Sequence, residues 1–247
     1  MTLHIKSIGS WTAKLNNLAK DNVVESDKPM IAFVEGPYGI PSIDFESECY
    51  RIVVLISGGI GVTPNQAICN DLIDAHSKGR KMLKIIFIWI VRDLAIAHAM
   101  IDSNHFPTNR NDEQQRNHGQ IDNIDINVDE DVATIKADNT EEKYSSGHNM
   151  DSASLLFTEI YRTSKEGISE EDLEKHSLSD DAVIIQGRPD FSQIFSRINE
   201  FAASRGEGRI GVSICGPDAM VIDATKACRE LKQDTVKWDT HFEVFNL

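Results

Sequence analysis

The sequence predicts an α/β protein, a parallel sheet with helices on both faces, preceded by the last strands of a separate β domain. Three observations carry this. Ile52-Val53-Val54-Leu55-Ile56 is an unbroken, largely β-branched run, the composition of a parallel strand buried on both faces. A glycine turn, Ser57-Gly58-Gly59-Ile60-Gly61, follows it and leads into Thr63-Pro64 and an amphipathic segment. From Arg51 onward, apolar strands and amphipathic helices alternate, the order a parallel sheet requires.

Before that sheet, residues 2 to 8 (TLHIKSI) alternate like a strand, Trp11 to Ala19 has helical spacing, and Met30 to Val34 reads as another strand ending in Glu35-Gly36-Pro37-Tyr38-Gly39. So few strands cannot enclose a core. Residues 1–46 are therefore read as the end of a β domain whose beginning lies outside this chain, and residues 47–247 as the α/β domain. In the helix after Pro64, Ala67, Ile68, Leu72 and Ile73 recur at helical spacing and are expected to face the core. The strand Leu83 to Val91 follows, then a short helix over Asp93 to Ile101. Residues 103–150 break the pattern: ten acids stand against four bases with almost no aromatics, a composition expected to stay unfolded as an insertion. Leu155 to Arg162 resumes as a strand, and residues 165–181 form a second, shorter acidic excursion. Gly187-Arg188-Pro189-Asp190 leads into a helix from Phe191 to Ala203, with Phe191, Ile194, Phe195, Ile198 and Phe201 on one face. A strand from Arg209 to Ile214 ends at Cys215-Gly216-Pro217; the helix Asp218 to Leu231, the strand Thr235 to Thr240 and an aromatic tail, His241 to Phe245, complete the chain.

Composition excludes several functions. With 39 acidic and 25 basic residues in 247, the net charge of -14 disfavours wrapping nucleic acid or lying on anionic lipid. Cys49, Cys69, Cys215 and Cys228 are widely spaced without a C-x-x-C pair, so neither a disulfide framework nor a zinc site is implied, and no metal site is expected. The longest apolar runs, such as Ile85 to Val91, are too short to span a bilayer, and the chain alone is expected to be soluble.

The glycine turn points to chemistry. Glycines let backbone approach a bulky ligand, and the following helix start offers unpaired N–H groups and a positive dipole end to a pyrophosphate. The arrangement is Rossmann-like and outlines a dinucleotide site, although the spacing G-G-I-G-V-T-P is not the usual G-x-G-x-x-G. A tight strand-to-helix turn without a ligand would use similar residues.

In order along the chain stand HIK, GSWTAKL, EGPYG, GGIGVTP, WIVR, GRP, CGP and a C-terminal aromatic. This series resembles the cytosolic dehydrogenase half of the NADPH oxidase and ferric reductase family, within the wider ferredoxin–NADP reductase-like group. The likeness runs from about Thr2 to Phe245, broken by the two acidic insertions. It implies an FAD-binding β-barrel, here only in part, then an NAD(P)-binding domain. It also implies an upstream membrane domain carrying haem, so that the whole protein is membrane-integral with this region on the cytosolic face. The implied activity is NADPH oxidoreduction: hydride passes to FAD and electrons go on to haem and then to dioxygen or Fe(III). The alternative is a nucleotide-binding regulatory fragment without FAD or turnover, because the family's main flavin motif, H-P-F/Y-T/S, is not in this sequence; a soluble flavin reductase using free flavin is a third reading.

Residue by residue, the resemblance implies that Gly58, Gly59, Gly61, Val62, Thr63 and Pro64 receive the NADPH diphosphate and ribose. His4 and Lys6 match the second flavin segment, where Lys6 either faces the FAD phosphates or is an exposed strand residue. Trp89 and Arg92 fall at a strand end where ligands of open sheets bind. Trp89 is either nucleotide-facing or core, and Arg92 suits the 2′-phosphate of NADPH, with Asp93 beside it keeping NADH open. Arg188 is a second phosphate clamp or a solvent-exposed arginine at a helix entry. Cys215, Gly216 and Pro217 match the loop near the nicotinamide, with Cys215 expected to position the ring and perform no covalent chemistry. Phe245 matches the terminal aromatic that stacks on the flavin, although Asn246-Leu247 follow it here.

Overall fold

The computed structural model of the protein describes residues 7, 9–25, 41–92, 94, 97, 150, 153–164, 182–231 and 236–244. Six strands form one sheet, all neighbours parallel: β1 (Ile52–Gly58), β2 (Lys84–Val91), β3 (Leu156–Arg162), β4 (Ala182–Gln186), β5 (Arg209–Gly216) and β6 (Lys237–Val244). Their order is β4-β3-β2-β1-β5-β6. Among the described residues, the helices with given bounds are α1 (Ser10–Glu25), α2 (Val62–Ser77), α3 (Phe191–Ser204) and α4 (Asp218–Glu230).

Side chains alternate across a strand, so the continuous run in β1 serves two cores. Ile52, Val54 and Ile56 pack with Ile194, Phe195 and Ile198 of α3 and with Val221 and Ala224 of α4. Val53 and Leu55 pack on the opposite face with Val62, Cys69 and Leu72 of α2 and with Ile43 and Phe45. Every residue of β1 is buried, as expected for a central strand. The helix α3 carries the predicted apolar face and starts at Asp190, whose carboxylate accepts from the backbone N–H groups of Ser192 (3.0 Å) and Gln193 (3.1 Å).

Several elements differ from expectation. The buried face of α2 is Val62, Asn65, Gln66, Cys69 and Leu72, whereas Ala67 is exposed and Ile68 and Ile73 are partly buried. An apolar-only reading rotates the helix because two of its buried positions are polar. Strand β4 is not foreseen: Ala182–Gln186 is short, half-buried and directly follows the acidic excursion. Strand β5 runs on to include Cys215 and Gly216, and β6 runs through His241–Val244, which the sequence suggests as a tail. As an edge strand, β6 buries only part of its pattern, with Phe242 and Val244 exposed. Helix α1 continues past Ala19 to Glu25. Met150, placed at the end of the acidic insertion, is buried against the α3 and α4 face. The remainder of that insertion, the 165–181 excursion and most of the helix expected over Asp93–Ile101 lie outside the described residues, as do the strands expected before residue 41.

Candidate functional site

The chain leaves β1 toward β2, β3 and β4 on one side, then returns to place β5 and β6 on the other. The order therefore reverses between β1 and β5, and ligands of open α/β sheets bind in the crevice beyond the carboxyl ends of such a strand pair. Both glycine turns of the sequence lie at this point: Gly58-Gly59-Ile60-Gly61 after β1, and Gly216-Pro217 at the end of β5.

The glycines have different tasks. A Cβ on Gly61 would lie 2.6 Å from the Cys215 carbonyl oxygen, one on Gly216 3.0 Å from the Gly58 nitrogen, and one on Gly58 2.8 Å from the Met220 sulfur. At these three positions the close approach that demands glycine is to the protein's own atoms. Gly59 is the contrary case: its φ of +54° is left-handed, and nothing would lie within 4 Å of its Cβ. It bends the chain and presents open backbone. Beneath the turn, Trp89 is fully buried and donates from Nε1 to the Gly59 carbonyl at 2.9 Å. Trp89 is thus a core residue that also holds the turn from below. Buried Asn65 donates from Nδ2 to the Ile56 carbonyl (2.8 Å) and the Ser57 hydroxyl (2.9 Å), tying α2 to the end of β1. Thr63 donates its hydroxyl to the Ile60 carbonyl at 3.2 Å.

A one-turn 3₁₀ segment, Gly59–Gly61, runs into α2, and neither start has a side-chain cap or an acidic residue in its first turn. The positive end of the helix therefore meets no carboxylate of its own there. Pro64, within the first turn, lacks an N–H that would otherwise need a partner. Helix α4 starts after Pro217, also without a side-chain cap, but with Asp218 in its first turn.

Arg92 follows β2 and is exposed, with its carbonyl accepting from the Ser164 N–H at 2.9 Å. Val91 is in register with Arg162, and Arg162 with Gln186, so Arg92 and exposed Arg188 lie at nearly the same level two strands apart. That is about 10 Å at ordinary strand spacing. Buried Arg162 ends β3 between them. From sequence Arg162 is legible only as a strand residue, because an arginine closing an apolar run carries no signal of its register partners.

Cys215 is 1% exposed, and burial followed by the charge of Glu243 pushes its thiol up to about 12. At neutral pH it stays protonated, which is not the state of a nucleophile. Cys69 and Cys228 are buried free thiols, while Cys49 is exposed. His4, Lys6 and Phe245, the flavin-linked residues of the sequence reading, lie outside the described residues, as does Asp93. Asn65, Met220, His241 and Glu243 were not singled out from the sequence. Only Asn65 leaves a trace there, a polar residue where helical spacing puts the core. Among the described residues no group of three or more His, Cys, Asp or Glu side chains is arranged to hold a metal ion, and no helix is long and apolar enough to cross a membrane.

A family model described as the ferric reductase NAD binding domain matches residues 50–229. Human dual oxidase 2 is 28% identical over 258 residues, covering 99% of this chain and 14% of its own length. Human NADPH oxidase 4 is 24% identical over 256 residues, covering 98% of this chain and 35% of its own. The dual oxidase of Drosophila melanogaster is 38% identical over 95 residues, 36% of this chain and 6% of its own. The chain spans about a seventh of the length of human dual oxidase 2 and about a third of that of NADPH oxidase 4.

Proposed function

This chain belongs to the ferric reductase NAD binding domain family, and from that premise we propose that it is the NADPH dehydrogenase module of an NADPH oxidase or ferric reductase. The observation that carries the proposal is the start of α2: an uncapped, acid-free helix end beside Gly59, at the point where the strand order reverses. Such an end attracts a diphosphate through its dipole; the Val62 N–H is already donated to the Gly59 and Ile60 carbonyls, so the cradle starts at the open backbone of Gly59 in the 3₁₀ turn ahead of α2. Val62, Thr63 and Pro64 continue that cradle, and Trp89 acts on it through the Gly59 carbonyl.

Arg92 and Arg188, level with one another across β2 to β4, have the spacing to close on the 2′-phosphate from two sides. A guanidinium can pair with that phosphate bidentately, which distinguishes NADPH from NADH. At the other end of the crevice, Cys215, Gly216 and Pro217 bound the space for the nicotinamide. Cys215 is 1% exposed and Gly216 is covered by Met220, so the two form a floor beneath that space, to which the protonated thiol itself adds no charge. No general base is needed, so the protein's share is alignment and exclusion of water. FAD would supply the hydride acceptor; His4, Lys6 and Phe245 are the residues proposed to hold it, on the family resemblance alone. Onward transfer to an upstream haem domain, and from there to dioxygen or Fe(III), follows the same resemblance, as does a place on the cytosolic face of a membrane.

Calorimetric titration of the 247-residue chain tests the reading. Saturable binding of NADPH, tighter than NADH, is expected. Arg92→Ala should weaken NADPH by about tenfold and leave NADH nearly unchanged, the size of one charge-assisted contact. Absence of heat with both nucleotides would overturn the proposal.

A further inference from the structure

At the carboxyl end of β6 a chain of hydrogen bonds connects the segment ahead of the sheet to the crevice. The backbone N–H of Ser42 donates to Nδ1 of His241 at 3.1 Å, and the Ser42 hydroxyl lies 3.0 Å from the same nitrogen. A backbone amide can only donate, so Nδ1 must carry the lone pair, and the proton of the neutral ring sits on Nε2. Nε2 then donates to Oε1 of Glu243 at 3.2 Å. The imidazole is 11% exposed and meets the Phe45 ring edge-on, with centroids 6.5 Å apart, so its plane is fixed as well as its tautomer.

The register shows where this chain points. His241 pairs with Ser213 and Glu243 with Cys215, and alternation puts His241, Glu243 and Cys215 on one face of the sheet. Glu243 is 44% exposed beside the carboxyl end of β5, and its charge contributes to keeping the Cys215 thiol protonated. A half-exposed glutamate would ordinarily sample several rotamers. Here one oxygen is tethered by a ring that is itself tethered across 199 residues of sequence.

We propose that His241 is a positioning residue: through Ser42 it takes its orientation from the segment ahead of the sheet, and through Glu243 it fixes a carboxylate at the nicotinamide end of the crevice. The proposal rests on the NADPH reading above. With a flavin bound as hydride acceptor, the hydrogen and the electron pair of the dihydronicotinamide C4–H bond would pass to it, reducing the flavin and oxidising the neutral nicotinamide ring to a cationic pyridinium. A fixed carboxylate nearby favours the cation, and therefore the direction in which hydride departs.

The test compares NADP⁺ and NADPH affinities of the full chain. His241→Phe should weaken NADP⁺ by about two- to fivefold, the range for a partly exposed ion pair, with NADPH unchanged within about twofold. Ser42→Ala removes the hydroxyl contact but keeps the amide donor and should show only part of the NADP⁺ loss; Ser42→Pro removes the amide and should reproduce His241→Phe. Glu243→Gln alters only a half-exposed group, so the fold is retained, and it should show the same selective loss. In the Glu243→Gln background His241→Phe should add nothing further. Equal weakening of both nucleotides by His241→Phe, or effects of the two substitutions that simply add, would overturn the positioning role while leaving NADPH binding intact. If wild-type chain binds neither nucleotide, the reading beneath fails and this proposal falls with it.

Discussion

The turn after β1 and the turn after β5 have the same outline, strand to glycine to helix, yet they are built for different neighbours. The first bends through a left-handed glycine, Gly59, and runs into a helix with no cap and no acid in its opening turn. The second has no left-handed residue; Gly216 finishes the strand, Pro217 begins the helix, and Asp218 supplies negative charge to the opening turn. The difference is electrostatic: the first turn of α2 holds no acid, whereas that of α4 complements its own dipole. On the proposed NADPH reading, two strand-to-helix turns side by side in one crevice separate a place for phosphates from a place for a ring.

The turns are also pressed together, and the largest expected effect comes from forcing them apart. Gly61 has an ordinary backbone conformation, φ -62° and ψ 0°, so no conformational reason forbids alanine there. The obstacle is the Cys215 carbonyl oxygen, 2.6 Å from where the Cβ would be, and main chain within a strand cannot swing aside. Gly61→Ala should cost about 3 kcal/mol, the upper part of the range for overpacking. Denaturant unfolding would report it, and nucleotide affinity should fall in parallel as the two turns separate.

A second substitution makes the first turn resemble the second. Thr63→Asp places a carboxylate in the first turn of α2, where α4 has Asp218. The dipole should contribute about 0.5 kcal/mol, which the loss of the Thr63 hydroxyl's bond to the Ile60 carbonyl offsets or exceeds by about 1 kcal/mol at most, while repulsion of a diphosphate should weaken NADPH by about tenfold. Affinity falling tenfold with stability changed so little is a signature that general damage does not imitate. If affinity holds, the start of α2 is not the phosphate site.

How much of this comparison is legible in the sequence depends on what each residue must do. Gly58, Gly59 and Gly61 stand out because glycine directly after a β-branched run is conspicuous, and the parallel sheet follows from the alternation beyond Arg51. Their division of labour is not legible, since it depends on Met220 and the Cys215 carbonyl, which come within reach only when β5 lies beside β1. The buried face of α2 is misjudged for a related reason: Asn65 is polar, and its burial makes sense only once the Ile56 carbonyl and Ser57 are present to receive it. Strand β4 and the end of β6 are edge elements whose half-exposed patterns resemble loop. His241 and Glu243 read as a tail, since nothing local reveals a partner as distant as Ser42.

A smaller effect sharpens the packing side of the comparison. Gly58 also has an ordinary backbone, φ -114° and ψ 116°, but the atoms in the way of a Cβ are the Pro217 ring carbon at 2.7 Å and the Met220 sulfur at 2.8 Å. Met220 can yield but the Pro217 ring, tied to the main chain, yields little, so Gly58→Ala should cost about 2 kcal/mol, still less than Gly61→Ala, where the obstacle is strand backbone. Met220→Ala should recover part of that cost in the double variant, a coupling that a thermodynamic cycle from denaturant unfolding would measure. No coupling between Met220→Ala and Gly61→Ala is expected, because the obstacle at Gly61 is backbone.

The smallest effect concerns the acid that α4 carries and α2 lacks. Asp218 is exposed in the first turn of α4, so Asp218→Asn removes a charge from the dipole end without disturbing packing. The loss should be about 0.5 kcal/mol, fading as salt is raised, because an exposed charge at a helix end is screened within about a Debye length. Its value lies in what happens to ligands: with the acid gone, α4 presents the same uncapped, uncharged start as α2. If inorganic pyrophosphate then competes with NADPH no better than before, the left-handed open backbone at Gly59 is as necessary as the dipole, because Asp218→Asn reproduces only the second of the two. If competition improves markedly, the dipole alone accounts for the difference between the two turns.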